Sequence, residues 1–243
     1  RRLTRLGMLP AIGGRTKEVC AQLTDADRLR KARVHPVSVL VAQRTYAGGA
    51  SHRGTAQWEP TAKVADALDA AFYAAFGAVE PSGKRTMLAV DVSGSMTMPI
   101  SGMAITAREA SAALALVQLA TEPDAAAYGF SAGEGWYRPA LAPLDISPRR
   151  RLDDALAAVS SIPMGGTDCA LPMLHAIEQG LEVDTFVIYT DNETWSGKVH
   201  PHQALRRYRE RSGINARLIV VGMTATGFSI ADPDDPGMLD VVG

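Results

Sequence analysis

Apolar positions along the chain change their period near residue 84. Before it the spacing is helical. Val37, Leu40, Val41 and Tyr46 fall close to one helix face, and Val64, Leu68, Ala71, Phe72 and Ala75 make another behind Pro60. Thr24 with Asp27 three residues on reads as a cap for a helix reaching about Arg33. Pro36 suits the first position of the next helix and Gly48-Gly49 its end. Residues 53–58 read as a loop. Glu80-Pro81-Ser82-Gly83 breaks the pattern and divides the chain into a helical segment, 1–83, and a second domain, 84–243. In the second, apolar β-forming runs alternate with helical stretches. Strands are expected near 86–92, 126–131, 136–142, 184–190 and 216–222, and helices near 104–121, 148–161, 168–179 and 201–212. Ser147-Pro148 and His200-Pro201 read as helix starts, and Gly180 and Gly213 as ends. The 136–142 run follows its neighbour too closely for a crossover helix, so it is expected as an antiparallel edge. Phe228 to Ile230 is expected as a last strand. The fold class is α/β, a doubly wound, mostly parallel sheet flanked by helices.

Candidate chemistry sits where strands give way to loops. Leu88-Ala89-Val90-Asp91-Val92-Ser93-Gly94-Ser95-Met96 ends an apolar run at a carboxylate and then places two hydroxyls at spacings of two. Gly165-Gly166-Thr167-Asp168 offers a third hydroxyl on a loop without bulk, and Phe186-Val187-Ile188-Tyr189-Thr190-Asp191 is a second apolar run ending in an acid. A doubly wound sheet gathers the carboxyl ends of its strands at one crevice. Asp91, Ser93, Ser95, Thr167 and Asp191 would meet there and hold Mg²⁺ or Mn²⁺, hard cations that take oxygen ligands in a near-octahedral shell. Each residue has an ordinary alternative: serines make turns, Thr167 could cap a helix, Asp191 could be a turn acid. All five falling at strand-end loops in order favours the metal.

The pattern resembles the metal-ion-dependent adhesion site of von Willebrand factor A domains from about Lys84 onward. Longer strings extend the likeness: Lys31-Ala32-Arg33-Val34-His35-Pro36, Ala70-Ala71-Phe72-Tyr73, Val79-Glu80-Pro81-Ser82-Gly83-Lys84-Arg85, Gly165-Gly166-Thr167-Asp168-Cys169, Thr190-Asp191-Asn192-Glu193-Thr194 and Ile230-Ala231-Asp232-Pro233-Asp234-Asp235. Together they resemble the C-terminal half of the Ro ribonucleoprotein family (the Ro/SS-A autoantigen family with its TROVE module). That resemblance implies a ring of helical repeats closed by the A domain, with 1–83 as the end of the ring. It implies binding of small noncoding Y RNAs and of the single-stranded ends of misfolded RNAs, a place in RNA quality control, and an exoribonuclease as a partner. The family's RNA contacts lie mainly on the ring, which leaves the basic residues Arg28, Arg30, Lys31 and Arg33 as candidates here. The chain opens at Arg1 rather than Met and stops short of the final helix usual in A domains, so it reads as a fragment with little expected RNA affinity of its own.

Charge sharpens this division. The net charge of −1 conceals 14 Lys or Arg against 7 Asp or Glu in residues 1–85, and 11 against 19 in residues 86–243. A basic half suits an anionic partner, RNA above all, although Arg-rich helices also make plain solvated faces. At 243 residues, 47% apolar and 21% charged, the composition is that of a folded globular chain. No apolar run reaches the ~18 residues of a membrane span, and no signal peptide is evident. Cys20 and Cys169 form no disulfide framework, so a reducing cytoplasm is expected. Cys169, beside the site, reads as a small buried residue rather than a reactive thiol.

Enzyme chemistry finds little support. There is no Gly-rich phosphate loop ending in Lys-Ser/Thr, and Asp91-Val92-Ser93-Gly94-Ser95 is not a nucleophile elbow. His200 and His202 flank Pro201 as capping residues, Glu193 reads as a loop acid rather than a base, and Asp232, Asp234 and Asp235 as a solvated turn. A cation held by two carboxylates and three hydroxyls keeps an open position that an acidic group can enter. The expected role is therefore noncatalytic recognition. The competing reading is an adhesion domain whose metal binds an acidic protein ligand; a metal-dependent hydrolase ranks third.

Overall fold

The computed structural model describes residues 1–52, 54–131, 140–163, 165–191, 197–224 and 230–242. The chain forms two compact units: Arg1–Glu80 together with Pro99–Ile105, and Pro81–Met98 together with Thr106–Gly243.

The first unit is helical, with α1 (Arg2–Arg5), α2 (Gly14–Leu23), α3 (Ala26–Lys31), α4 (Pro36–Ala47) and α5 (Ala62–Ala74), the last running into a 3₁₀ turn. Leu9, Tyr46, Trp58 and Val64 form a buried cluster with Val19 and Leu23 against it. Trp58 Nε1 donates to the Tyr46 carbonyl at 2.9 Å, so the indole's one donor is satisfied as it is buried. The loop expected over 53–58 is more structured than that. Ala50 and Gln57 form an antiparallel bridge and Trp58 N–H donates to the Gly49 carbonyl at 2.8 Å. Gly49 lies at φ +67, and a Cβ there would stand 2.8 Å from the Trp58 carbonyl oxygen, so this turn requires glycine. Arg53 lies outside the described residues.

Three helix starts differ from the expected ones. Thr24 ends α2, and Asp25 caps α3 by accepting from Arg28 N–H at 3.0 Å; the carboxylate is the better acceptor for the exposed amides. Helix α5 begins at Ala62 behind Thr61, not at Pro60. In the second unit, the helix expected from Ser147-Pro148 begins at Leu152, because Ser147 to Arg150 close a turn of their own at 2.9 Å. Pro36 does stand in the first turn of α4.

The second unit is a six-stranded mixed sheet of β1 (Thr86–Asp91), β2 (Ala125–Ser131), β3 (Ala140–Pro143), β4 (Thr185–Thr190), β5 (Arg217–Gly222) and β6 (Met238–Val242), in the order β3-β2-β1-β4-β5-β6. All neighbours are parallel except β2 and β3. The antiparallel edge is thus present, though it spans 140–143 among the described residues. Of the strand expected at 228–230, Phe228 and Ser229 lie outside the described residues and buried Ile230 is in no strand; among the described residues the last strand is β6, which starts eight residues after Ile230. Helices α6 (Ala107–Thr121), α7 (Leu152–Ser160), α8 (Leu171–Gln179) and α9 (Pro201–Ser212) complete the unit. Every residue of β1 is buried, as a central parallel strand requires. Met87, Ala89, Phe186 and Ile188 join Met173 of α8 and Tyr208 of α9 in one core. Among the described residues no helix is long and apolar enough to cross a membrane.

Candidate metal centre

The sheet order reverses between β1 and β4: from β1 the chain goes to β2 on one side, and β4 adds on the other. Such a switch point opens a crevice at the strands' carboxyl ends. Asp91 ends β1 there, and Thr190 ends β4 with Asp191 next.

Asp91 is fully buried and its carboxylate accepts three hydrogen bonds. Ser93 N–H donates to Oδ1 at 2.8 Å, while Thr190 Oγ1 and Thr167 Oγ1 donate to Oδ2 at 2.8 and 3.2 Å. Ser93 Oγ and Ser95 Oγ lie 3.1 Å apart, and Ser95 is exposed. Asp191 is buried too, and its Oδ1 has no hydrogen-bond partner among the described residues. Four of the five expected residues are therefore linked by hydrogen bonds around Asp91: Asp91, Ser93, Ser95 and Thr167. Asp191 is placed beside them by Thr190. Burial pushes the Asp91 carboxyl up from its ordinary range; hydrogen bonds from Ser93 and Thr190 oppose this, and the charge of Asp191 adds to it. A buried carboxylate oxygen without a partner costs about 1–3 kcal/mol or more. The donor set is all oxygen, so it fits a hard divalent ion at this position. Among the described residues no three His, Cys, Asp or Glu side chains gather as a metal cluster; this set depends on hydroxyls.

Two supporting residues were not legible in the sequence. Thr190 reads as the last position of an apolar strand, yet its hydroxyl makes one of the two shortest bonds to Asp91. Arg108, in the first turn of α6, donates through Nη2 to the carbonyls of Val92 and Ser93 at 3.2 Å each, and its Nε is buried without a partner among the described residues. A cation in a helix's first turn opposes the helix dipole, which was the available signal. Asp168 is buried and accepts from Ala170 N–H at 3.0 Å; burial raises its pKa and that bond opposes the rise. Cys169 is buried in the core.

The remaining candidates fall elsewhere. Arg28, Arg30, Lys31 and Arg33 are exposed on or just after α3, in the first unit, and Arg30 pairs with Asp27 at 2.7 Å. His200 caps α9, its N–H donating to Gln203 Oε1 at 3.3 Å. Asp235 is no solvated turn acid: it pairs with Arg209 and accepts from Gly237 N–H at 2.8 Å. Glu193 lies outside the described residues.

A mostly parallel sheet carrying an Asp-x-Ser-x-Ser loop at its switch point defines a von Willebrand factor A-type domain. Residues 85–243 match the family described as the Ro60 vWA domain, and the chain belongs to that family. It is 47% identical over 244 residues to the RNA-binding protein RO60 of Deinococcus radiodurans, covering 99% of this chain and 45% of that protein. To the protein of that name in Caenorhabditis elegans it is 42% identical over 230 residues, covering 94% and 35%. The crystal structure of the Deinococcus radiodurans RO (RSR) protein superposes with a TM-score of 0.88 at 46% identity, over 99% of this chain and 48% of that one. The chain thus spans less than half the length of the relatives it matches.

Proposed function

We propose that this chain is the metal-binding A domain, with adjoining helices, of an RNA-binding protein, and that it serves as a noncatalytic recognition module. The observation that carries the metal reading is the buried Asp191 Oδ1, which has no hydrogen-bond partner among the described residues, beside the buried Asp91. Asp91, Ser93, Ser95, Thr167 and Asp191 would hold Mg²⁺, or Mn²⁺ in its place. When bound, the ion supplies a positive centre with room for an acidic group. The protein's own part is to hold the oxygens: Ser93 N–H, Thr167 and Thr190 fix the Asp91 carboxylate, and Arg108 fixes the backbone between Asp91 and Ser95. RNA enters through the relatives, both named RNA-binding proteins. For the longer protein we propose Y RNA and misfolded RNA as ligands, an exoribonuclease as a partner, and the cytoplasm as its location.

Isothermal titration with Mn²⁺ tests the metal. The wild-type chain is expected to bind one ion, and Asp91→Asn to bind none while melting as a folded protein. Unchanged affinity in the folded variant would remove the site.

A further inference from the structure

Helix α9 carries four arginines and no lysine in its 12 residues. Their fates differ. Arg209 turns inward, donating from Nε to the Ala216 carbonyl at 2.8 Å and pairing with Asp235. Arg206, Arg207 and Arg211 are exposed, and among the described residues none of them pairs directly with a carboxylate. Arg206 only adds to the field that keeps Asp235 ionised.

Helical geometry spreads these three over one exposed arc, with Arg206 and Arg211 about 140° apart at its edges and Arg211 lining a groove with Glu178 and Glu182. Ala204, Leu205 and Tyr208 are buried. At 100° per residue the opposite arc carries Gln203, Arg206, Arg207, Glu210 and Arg211, all exposed. Arg207 and Arg211 stand one turn apart, about 6 Å along the axis. Like charges at that spacing repel by a few tenths of a kcal/mol, while Glu210, four residues from Arg206 and three from Arg207, offsets part of the charge of those two. The helix dipole explains a cation in the last turn, but not Arg206 and Arg207 in the middle. Solubility does not explain them either, since residues 86–243 already carry 19 acids. What the arc offers is an array of planar guanidinium forks, matched to phosphate oxygens and less well replaced by lysine. It has no aromatic or large aliphatic anchor of the kind that dominates binding to a protein partner.

We propose that the exposed face of α9 is an RNA-backbone contact surface. It reads phosphate charge, not base identity. This rests on the RNA-binding reading above.

Fluorescence anisotropy with a mixed-sequence single-stranded RNA tests it on the whole chain. The variant Arg206→Glu/Arg207→Glu/Arg211→Glu is expected to bind at least tenfold more weakly at low salt. Its plot of log affinity against log salt should be shallower by roughly 2, three lost contacts at ~0.7 each. The Arg→Lys triple keeps the charge and should keep the slope while losing part of the affinity. Should the reversal variant lose its circular-dichroism melt, the Arg206→Gln/Arg207→Gln pair is read instead, with a slope shallower by roughly 1.4. Wild-type affinity and slope in the folded variants overturn the surface, while wild-type binding itself keeps the RNA reading. A wild-type chain that binds no RNA at low salt overturns both. Equal affinity for a polyglutamate peptide, lost in the same triple variant, would make the face a site for acidic protein and overturn the RNA assignment.

Discussion

Asp91 shows how one residue can be legible in type and misjudged in placement. Its position at a strand end suggests a side chain aimed into an open crevice, where truncation would be harmless. The structure buries it completely, under three hydrogen bonds. Asp91→Ala should therefore cost stability, about 1–3 kcal/mol, because it leaves Ser93 N–H and two threonine hydroxyls without their acceptor. Asp91→Asn keeps one of the two acceptor oxygens, enough for the Thr167 and Thr190 hydroxyls, and removes a charge that burial already disfavours. It should melt at or above the metal-free wild type, as differential scanning calorimetry without metal would record. A melting point for Asp91→Asn well below that of Asp91→Ala would refute this account. Arg108 gives a companion test. Arg108→Met frees the Val92 and Ser93 carbonyls and should weaken Mn²⁺ binding about tenfold with little change in far-UV circular dichroism; Arg108→Lys should recover part of the loss. Equal affinity in Arg108→Met would show that the loop holds itself. The five candidate oxygens were legible because their types and strand-end spacing follow the order of the chain. Thr190 and Arg108 were not, because their roles depend on which strand lies beside β1 and where α6 begins.

At the scale of elements, apolar runs identify strands well where both faces are buried. Strands β1 and β4 read cleanly for that reason. Strand β6 does not: it is an edge, with Leu239, Val241 and Val242 exposed and Asp240 among them, so neither period nor polarity marks it. The start of α3 shifted because two capping residues compete there, Thr24 and Asp25. Contacts between strand ends were invisible altogether. Arg85 joins the start of β1 to that of β4: its backbone N–H and its guanidinium donate to Asp184, and its carbonyl accepts from Thr185 N–H at 3.1 Å. The Arg85 guanidinium holds the Asp184 carboxyl down at about 2, below its ordinary value. A depressed carboxylate stabilises the fold above its unfolded pKa of about 3.9, and that contribution is lost as pH falls toward 2. The gap in melting temperature between wild type and Asp184→Asn should thus be constant above about pH 5 and close between 4 and 2. Thermal melts at fixed ionic strength would show it. A gap that stays open at pH 2 would mean packing, not charge, carries the contact.

Across the whole molecule, charge is divided as chemistry is. Residues 1–85 hold 14 basic against 7 acidic side chains, and the metal candidates all belong to the acidic remainder. Composition could show that division because it needs no geometry, whereas the exposed arc of α9 needed the helix to be folded and its inner face known. If RNA is held through phosphates, affinity must grow with the number of cations engaged and fall as salt rises. This chain matches 45% of the Deinococcus radiodurans relative, so it offers fewer such contacts than that protein can. It should bind a structured noncoding RNA measurably at low salt, but far more weakly than the full-length relative and with a shallower salt dependence. Binding by this chain should survive Asp91→Asn, since removing a site built on Asp91 and Asp191 takes away no arginine. Filter binding across a salt series, with and without the substitution, measures all three expectations together. Equal affinity and slope for the two proteins would place every RNA contact within the residues they share. Loss of binding with Asp91→Asn would mean that the metal itself touches RNA, and the division between a basic RNA surface and an acidic metal crevice would have to be given up.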